Sequence, residues 1–588
     1  MKTFEAMMKA ISKDISIQGI LETINKQYGE ITALQIREQD GSYRKLSYAE
    51  LGRRVVDVSA ALIKLGIQKN DRVAILSESR PEWAVAGFGI ISAAAIIVPI
   101  DVKLSEKEIQ FILEDSQAKC VFVSEKYFSI VDNLKTPLTH ITNIITFDDV
   151  KHGDVILLKD LKIAAGESKY NPIHPDDTAL IVYTSGTAGA AKGVELSYKN
   201  LLFQVLATIE VVHYRKEEQI LSILPLNHML ELTGGLIAPL YAGSCVTYCD
   251  TIKTTTLTAI MKETHTTAMI CVPLVLKMFH DGIMSKVGKL SPVKQKIFIR
   301  FLALSKLLLK LNIRAGRVFF ASVHKEFGGR LKIFLSGGAP LNMEIERNLN
   351  ALGFIVLQGY GLTETSPVIS VNTCKHNRMG SVGIPLKGIE VKILKENNSA
   401  QDGEIITRGP HVMKGYYKNP EKTIEVIKDG WFYTGDTGYF DRDGFLYISG
   451  RLRNLIVLGD GKKVFPEEVE EVIGNSPYIK EICVLSKNAM QGAHKGYEEV
   501  YAVIVPNFDI FEQNAKNNDQ KIKEKISLEI KRLSENLAEY KRITDFEIWR
   551  QELPKTTSKK IKRKEIADMV KSKSFQFFSR FFKQLKVN

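Results

Sequence analysis

Three hydroxyls and one ammonium fall within nine residues of each other in LIVYTSGTAGAAKGVELS, residues 180–197: Thr184, Ser185, Thr187 and Lys192. Apart from Lys192 the stretch from Thr184 to Gly193 has no bulky side chain, so Gly186, Gly189 and their neighbours can turn backbone N–H groups toward a ligand at close range. Donors without carboxylates suit an anion, and a polyphosphate best of all. A Walker loop closes on Gly-Lys-Ser/Thr, whereas this one closes on Ala191-Lys192-Gly193, so the cradle is of another kind. A flexible Gly/Ser linker has similar composition, but seldom follows an apolar strand directly or carries a lone lysine at its far end.

Positioning such a loop takes a strand behind it, and strands of that type recur along the chain. RVAIL, KCVFVS, TALIVYTS, QILSILPL, AMICVPL, KIFLSGG and FIVLQGYG alternate with helical stretches such as AELGRRVVDVSAALIKLG. That texture predicts α/β architecture, with parallel or mixed sheets covered by helices on both faces. From about residue 386 it changes to short strands and turns, a small β-rich subdomain to about 450, and from 451 to a compact α+β unit. At 588 residues, 45% of them hydrophobic and 25% charged, the chain is globular and large enough for roughly three or four packing units.

The six cysteines are scattered, mostly within apolar runs, and read as reduced core residues. Cys245 and Cys249 form the only near pair, without a histidine or second pair to complete a metal site. The N-terminus carries charges throughout and reads as having no secretory signal. Residues 83–100, WAVAGFGIISAAAIIVPI, are uncharged but borderline for a membrane span, and are predicted to be a buried helix running into a buried strand. The net charge of +13 is concentrated: residues 286–330 carry +10 and residues 550–588 carry +9, leaving −6 for the remainder. Two basic patches, rather than a basic protein, therefore have to be explained.

The loops that follow the strands stand in one order: LPLNHMLE (224–231), LSGGAPL (335–341), QGYGLTET (358–365), YTGD (433–436), SGRLRNLIVLGDGKKVFPEEVE (449–470) and LPKTTSKKIKR (553–563). With the opening loop they resemble the acyl-adenylate-forming enzymes, which include acyl-CoA synthetases, luciferase and peptide-synthetase adenylation domains. The resemblance implies a large N-terminal domain, 1–450, of two helix-covered sheets plus the β-rich subdomain, then a mobile lid, 451–565, and a basic tail, 566–588. It also implies a reaction in which a carboxylate attacks the α-phosphate of ATP, giving acyl-AMP and pyrophosphate, and the acyl group then passes to a thiol.

Roles follow from the resemblance, position by position. Thr184, Ser185, Gly186, Thr187, Gly189 and Lys192 cradle the leaving phosphates. Tyr360 faces adenine, Gly337, Gly338 and Ala339 line the base pocket, Thr363 reaches the α-phosphate, and Glu364 is the Mg²⁺ ligand. Asp436 accepts from the ribose hydroxyls with help from Arg451. Lys560 bridges the substrate carboxylate and α-phosphate. Arg453 is the hinge about which the lid turns so that residues 458–463 replace Lys560 and admit CoA. Three departures from the family pattern are Ala188 for Thr, Ala191 for Pro, and Lys559 for the Gly preceding the essential lysine.

Gly361 stands where acetate-activating relatives carry Trp, which implies an acyl pocket open to long chains, and His228 matches the aromatic near the carboxylate. The implied activity is a long-chain fatty acid:CoA ligase using ATP, Mg²⁺ and CoA, with acyl carrier protein as alternative acceptor. A degenerate acyl- or nucleotide-binding protein is the alternative of another class. Lys296, Arg300, Lys306, Lys310 and Arg314 share about a third of a helix circumference, and the tail places Phe575, Phe577, Phe578, Phe581, Phe582 and Leu585 on one face. Basic rims beside apolar faces suit an anionic membrane surface, whereas no stacking platform speaks for nucleic acid. The expected location is cytoplasmic, peripheral at the inner membrane face.

Overall fold

The computed structural model describes residues 24, 26–150, 155–162, 172–184, 191–395, 402–458, 462–488, 498–511, 518–535, 537–556 and 560–572. The tail's phenylalanines, Lys559 and the loop residues Ser185, Gly186, Thr187 and Gly189 lie outside them.

The chain divides into two compact units, residues 1–392 with 406–433 and 444–446, and residues 393–405, 434–443 and 447–588. The expected boundary at 450/451 is thus displaced. The division passes through the β-rich region, whose five strands run in the order Glu390–Leu394, Gly403–Arg408, Trp431–Phe440, Ile427–Lys428, with Leu446–Arg451 beside Trp431–Phe440.

The first unit holds the two large sheets. One has nine strands in the order Ile384–Pro385, Val368–Val371, Ile355–Gly361, Ile333–Ser336, Ala268–Cys271, Gln219–Ser222, Cys245–Tyr248, Thr32–Arg37, Tyr43–Ser47. Its central members are parallel, so their C-terminal loops open at one edge, the usual place for a ligand site in such sheets. The other has eight, in the order Gly415–Tyr416, Lys192–Ser197, Thr178–Thr184, Ile96–Ile100, Arg72–Leu76, Cys120–Val123, Asn143–Thr146, Ile156–Leu157.

Residues 83–100 behave as their composition predicts. The helix Pro81–Ser92 is buried at every position and feeds the wholly buried strand Ile96–Ile100. Each large aliphatic or aromatic side chain enclosed in this way contributes about 1.5–3 kcal/mol. Among the described residues no helix is long and apolar enough to cross a membrane. The six cysteines are all unpaired, and all but Cys374 are buried.

The second unit has an antiparallel pair, Ile479–Asn488 with Glu498–Pro506, extended by the parallel strand Asp545–Ile548 and packed with the helices Pro466–Ile473 and Asp519–Ser534. This is the expected α+β pattern.

Candidate active site

Strand Thr178–Thr184 runs antiparallel to Lys192–Ser197, with Thr184 opposite Lys192. The phosphate-cradle sequence therefore joins two strands of a hairpin, where a Walker loop would run into a helix. Among the described residues the stretch leads into the strand Lys192–Ser197 before any helix begins, with Lys192 as the cation at its end. Its ammonium lies 5.1 Å from the ring centroid of Tyr416. The phenol of Tyr416 donates to Glu364 Oε1 at 3.0 Å. Burial, reinforced by the neighbouring Glu364 charge, holds the Tyr416 proton well above the usual phenol range, so the group remains a donor. Lys192, Tyr416 and Glu364 form one corner in which an aromatic ring carries a cation on its face and a carboxylate at its edge.

No motif pointed to Tyr416. It arrives on the two-residue strand Gly415–Tyr416, which pairs with Glu195 and Val194 at the edge of the eight-stranded sheet. The segment before it is tied down by Asn200, whose Nδ2 donates to Pro410 O (2.7 Å) and Val412 O (2.9 Å). Asn200 has a second task. Its Oδ1 accepts from Ser197 N while its own N–H donates to Ser197 Oγ, a reciprocal cap that starts the helix Tyr198–Val212.

One turn further along that helix, buried Gln204 donates from Nε2 to Thr365 O (3.0 Å) and Val368 O (2.7 Å). It clamps the turn that presents Thr363 and Glu364. Two amides four residues apart in the otherwise apolar run NLLFQVLA are the signal from which these positioning residues were readable, since a polar group is buried in such a face only with a partner.

The turn itself is tightly closed. Thr365 Oγ1 accepts from Leu362 N at 2.9 Å and donates to Pro367 O at 2.6 Å, and Met413 N donates to Glu364 O at 2.9 Å. Gly361 ends the strand where the backbone doubles back, and a Cβ there would stand 1.8 Å from Pro367 O. Glycine at 361 is thus required by the turn, and the contrast with Trp in acetate-activating relatives involves the backbone path as well as the pocket. Tyr360, opposite Ser370 on the return strand, is half-buried.

Gly337 follows strand Ile333–Ser336, and a Cβ there would lie 2.9 Å from Leu230 Cδ2. The loop of Gly337, Gly338 and Ala339, expected to line a base pocket, therefore abuts the loop that holds half-buried His228, and Gly338 and Ala339 are exposed beyond it. The His228 carbonyl accepts from Glu231 N and Leu232 N, both at 3.0 Å, opening a π-helical turn at Glu231–Ile237. Glu231 is completely buried, and neither carboxyl oxygen has a partner at hydrogen-bonding distance. Burial pushes its pKa up to about 8, an effect the nearby Ser222 hydroxyl only partly offsets. It was not among the residues singled out from the sequence.

In the second unit Asp436 is almost fully enclosed and pairs with Arg451 Nε at 2.8 Å. The pair suits a carboxylate that accepts from hydroxyls, since the guanidinium orients it. Arg453 is exposed on the short 3₁₀ turn Leu452–Asn454. Lys560 is exposed beside an isolated bridge: Lys555 pairs with Ile561, Thr556 N donates to Lys560 O at 2.8 Å, and Lys560 N donates to Thr556 Oγ1 at 3.1 Å.

The LPKT residues that precede Lys560 acquire reasons here. Leu553 is buried, Lys555 pairs with Glu481, and the Thr556 hydroxyl staples the turn. Arg563 is bound to Glu470, with Nη2 2.9 Å from Oε2, so this cation of the basic C-terminal segment is structural.

No group of three metal-ligating side chains occurs among the described residues. A single carboxylate is what Mg²⁺ needs when nucleotide phosphates and water complete its shell, and Glu364, held by Tyr416 beside Lys192, fits that requirement.

Residues 21–417 match the AMP-binding enzyme family, and residues 468–560 match the AMP-binding enzyme C-terminal domain. Fatty acyl-CoA synthetase B of Dictyostelium discoideum is 27% identical over 493 residues, covering 78% of this chain and 73% of that protein. The chloroplastic long-chain-fatty-acid–[acyl-carrier-protein] ligase AEE15 of Arabidopsis thaliana is 27% identical over 572 residues, covering 84% and 76%. Among solved structures, ATP-bound MatB from Rhodopseudomonas palustris superposes with a TM-score of 0.74 at 25% identity, covering 94% of this chain and 98% of that one. The chain belongs to the AMP-binding enzymes, as a ligase of the acyl-adenylate-forming superfamily.

Proposed function

We propose that this ligase activates a long-chain fatty acid with ATP and Mg²⁺ and passes the acyl group to CoA. The observation that carries the reading is the Lys192–Tyr416–Glu364 corner in a chain of this family. A carboxylate resists nucleophiles until one of its oxygens becomes part of a leaving group. The substrate carboxylate attacks the α-phosphorus of ATP, the bond to the bridging oxygen breaks, and pyrophosphate leaves. Lys192 meets the charge that collects on the pyrophosphate, and Mg²⁺ at Glu364 would share it. Thr363 and Lys560 serve the α-phosphate, Tyr360 and residues 337–339 hold the base, and Asp436 with Arg451 holds the ribose. Rotation about Arg453 then exchanges Lys560 for residues 458–463, and the thiol attacks the mixed anhydride with AMP leaving.

The names of the relatives support fatty acid as substrate, and the Arabidopsis ligase supports acyl carrier protein as a second acceptor, since both acceptors present a pantetheine thiol. ATP–pyrophosphate exchange in the presence of palmitate tests the first half-reaction. Absence of exchange with ATP binding retained would assign the chain to binding proteins. Acids of graded length, each offered CoA or acyl carrier protein, test pocket and acceptor. A cytoplasmic location, peripheral at the inner membrane face, is consistent with ATP, CoA and a fatty acid as substrates.

A further inference from the structure

The helix Pro292–Lys310 carries apolar side chains on two opposite faces. Phe298, Leu302, Ser305 and Leu309 fall within about 60° of arc at 100° per residue and dock it on the first unit. Leu302 and Ser305 are buried, the Phe298 ring lies 4.9 Å from that of Phe320, and Ser305 Oγ donates to Ala351 O at 2.6 Å. Roughly half a turn away around the axis stand Val293, Ile297, Leu304 and Leu307, exposed by 67%, 46%, 43% and 57%. Of the 20 exposed large hydrophobic residues in the described structure, ten lie between Leu290 and Val318, so half of such exposure is gathered in one short stretch.

Cations accompany this outward stripe on one side. At 100° per residue Arg300 falls within its arc and Lys296 about 20° beside it, whereas Lys294 lies toward the docked face, and Arg314 falls beyond the helix end and leaves the predicted basic row one residue shorter. No acid occurs from residue 287 to 325. Contiguous exposed apolar surface marks an interaction site. A second copy of the chain would bring like charge against like, and a helix with this many cations does not span a bilayer. The charge pattern is complementary to an anionic surface with an apolar interior.

We propose that the Pro292–Lys310 helix lies along an anionic lipid bilayer, with the Val293, Ile297, Leu304 and Leu307 stripe entering the boundary between headgroups and acyl chains and the bordering cations facing lipid phosphates. Docking of this kind is independent of the acyl-activation reading. It places the protein where a water-insoluble acid would be drawn from the bilayer.

The test is co-sedimentation of the full chain with phosphatidylcholine vesicles, with and without phosphatidylglycerol, at low and high salt. The parent should bind the anionic vesicles and be released by salt. A V293S/I297S/L304S/L307S variant should bind at least about tenfold more weakly, and K296Q and R300Q should each cost about fivefold. ATP–pyrophosphate exchange on detergent-solubilised acid should be unchanged, which shows that the variants fold. Equal vesicle binding by parent and stripe variant would place docking elsewhere, the C-terminal segment included, and overturn the proposal. So would equal binding to neutral and anionic vesicles, or a parent that ignores vesicles but forms a dimer that the stripe variant lacks.

Discussion

Lys192 and Lys560 carry the same charge and are held in opposite ways. Lys192 begins a strand inside an eight-stranded sheet, faces Thr184 across the ladder, and rests on the ring of Tyr416. Tyr416 itself is placed by edge pairing with Glu195 and Val194 in a segment tethered by Asn200. Lys560 sits exposed on a turn closed by one isolated bridge and the Thr556 hydroxyl. The first arrangement fixes a cation through contacts far apart in sequence. The second holds the backbone through contacts within a few residues along the chain.

The sharpest way to break this contrast is Lys560→Ala. ATP–pyrophosphate exchange should fall by roughly a thousandfold or more, the scale lost with a charge aimed at a developing anion. Thioester formation from supplied acyl-AMP should stay within about threefold of the parent. Lys559→Ala should alter neither rate, and loss of exchange in that variant with survival in Lys560→Ala would reverse the assignment.

On the fixed side, Glu364→Gln preserves the turn but removes the charge that Mg²⁺ would meet. Exchange should drop about a hundredfold, with a raised Mg²⁺ requirement in a metal titration. Unchanged Mg²⁺ dependence would remove Glu364 from the metal's shell. Tyr416→Phe should cost about tenfold, the value of one hydrogen bond to a charged acceptor, and appear mainly in KM for ATP. Tyr416→Leu should cost more, because it also removes the ring beneath Lys192. Equal effects would mean that the ring carries nothing.

The smallest effect on activity is expected at Glu231, which should show itself in stability. Its carboxyl rises from an ordinary 4.5 to about 8 on folding. The folded state therefore binds this proton more tightly than the unfolded chain does. Stability from this group is complete below about pH 4.5 and drains away as pH climbs through 8. Glu231→Gln keeps the shape without the titration. Its melting temperature should overtake the parent's progressively between pH 5 and pH 8 in thermal melts over about that range. Parallel curves for the two proteins would show that Glu231 finds a partner when ionised.

Much of the site was legible because its residues are close neighbours in the chain. The strand before the Thr184–Lys192 stretch, the glycines of 335–341 and 358–365, and the LPKT run announce themselves within a dozen residues each; the first is the strand Thr178–Thr184, and Gly359 and Gly361 belong to the strand Ile355–Gly361. Tyr416, Gln204 and Glu231 were not singled out. Tyr416 in KGYYKN takes its place from Glu364, 52 residues away, and Gln204, visible only as a polar break in an apolar helix, from Thr365, 161 residues away, whereas Glu231 is set apart by burial without a partner. Gly361 was legible as a missing side chain, but its proximity to Pro367 O depends on how the strand folds back.

The basic helix marks the same limit from the other direction. Its cationic row follows from periodicity, which is a property of a single helix. Which of its two apolar faces packs inward is decided by what stands opposite: Ser305 meets Ala351 and Phe298 meets Phe320, and Val293, Ile297, Leu304 and Leu307 are left outside. The amino-acid order by itself determined the alternation of strands and helices, the buried run at 83–100, the order of the loops and the family they belong to, because local sterics and hydrophobic period act over a few residues. Only the tertiary structure decided that Lys192, Tyr416 and Glu364 form one corner, that Glu231 is shut away without a partner, and which helix face remains uncovered. Burial and long-range pairing are properties of the packed chain as a whole, and no segment carries them alone.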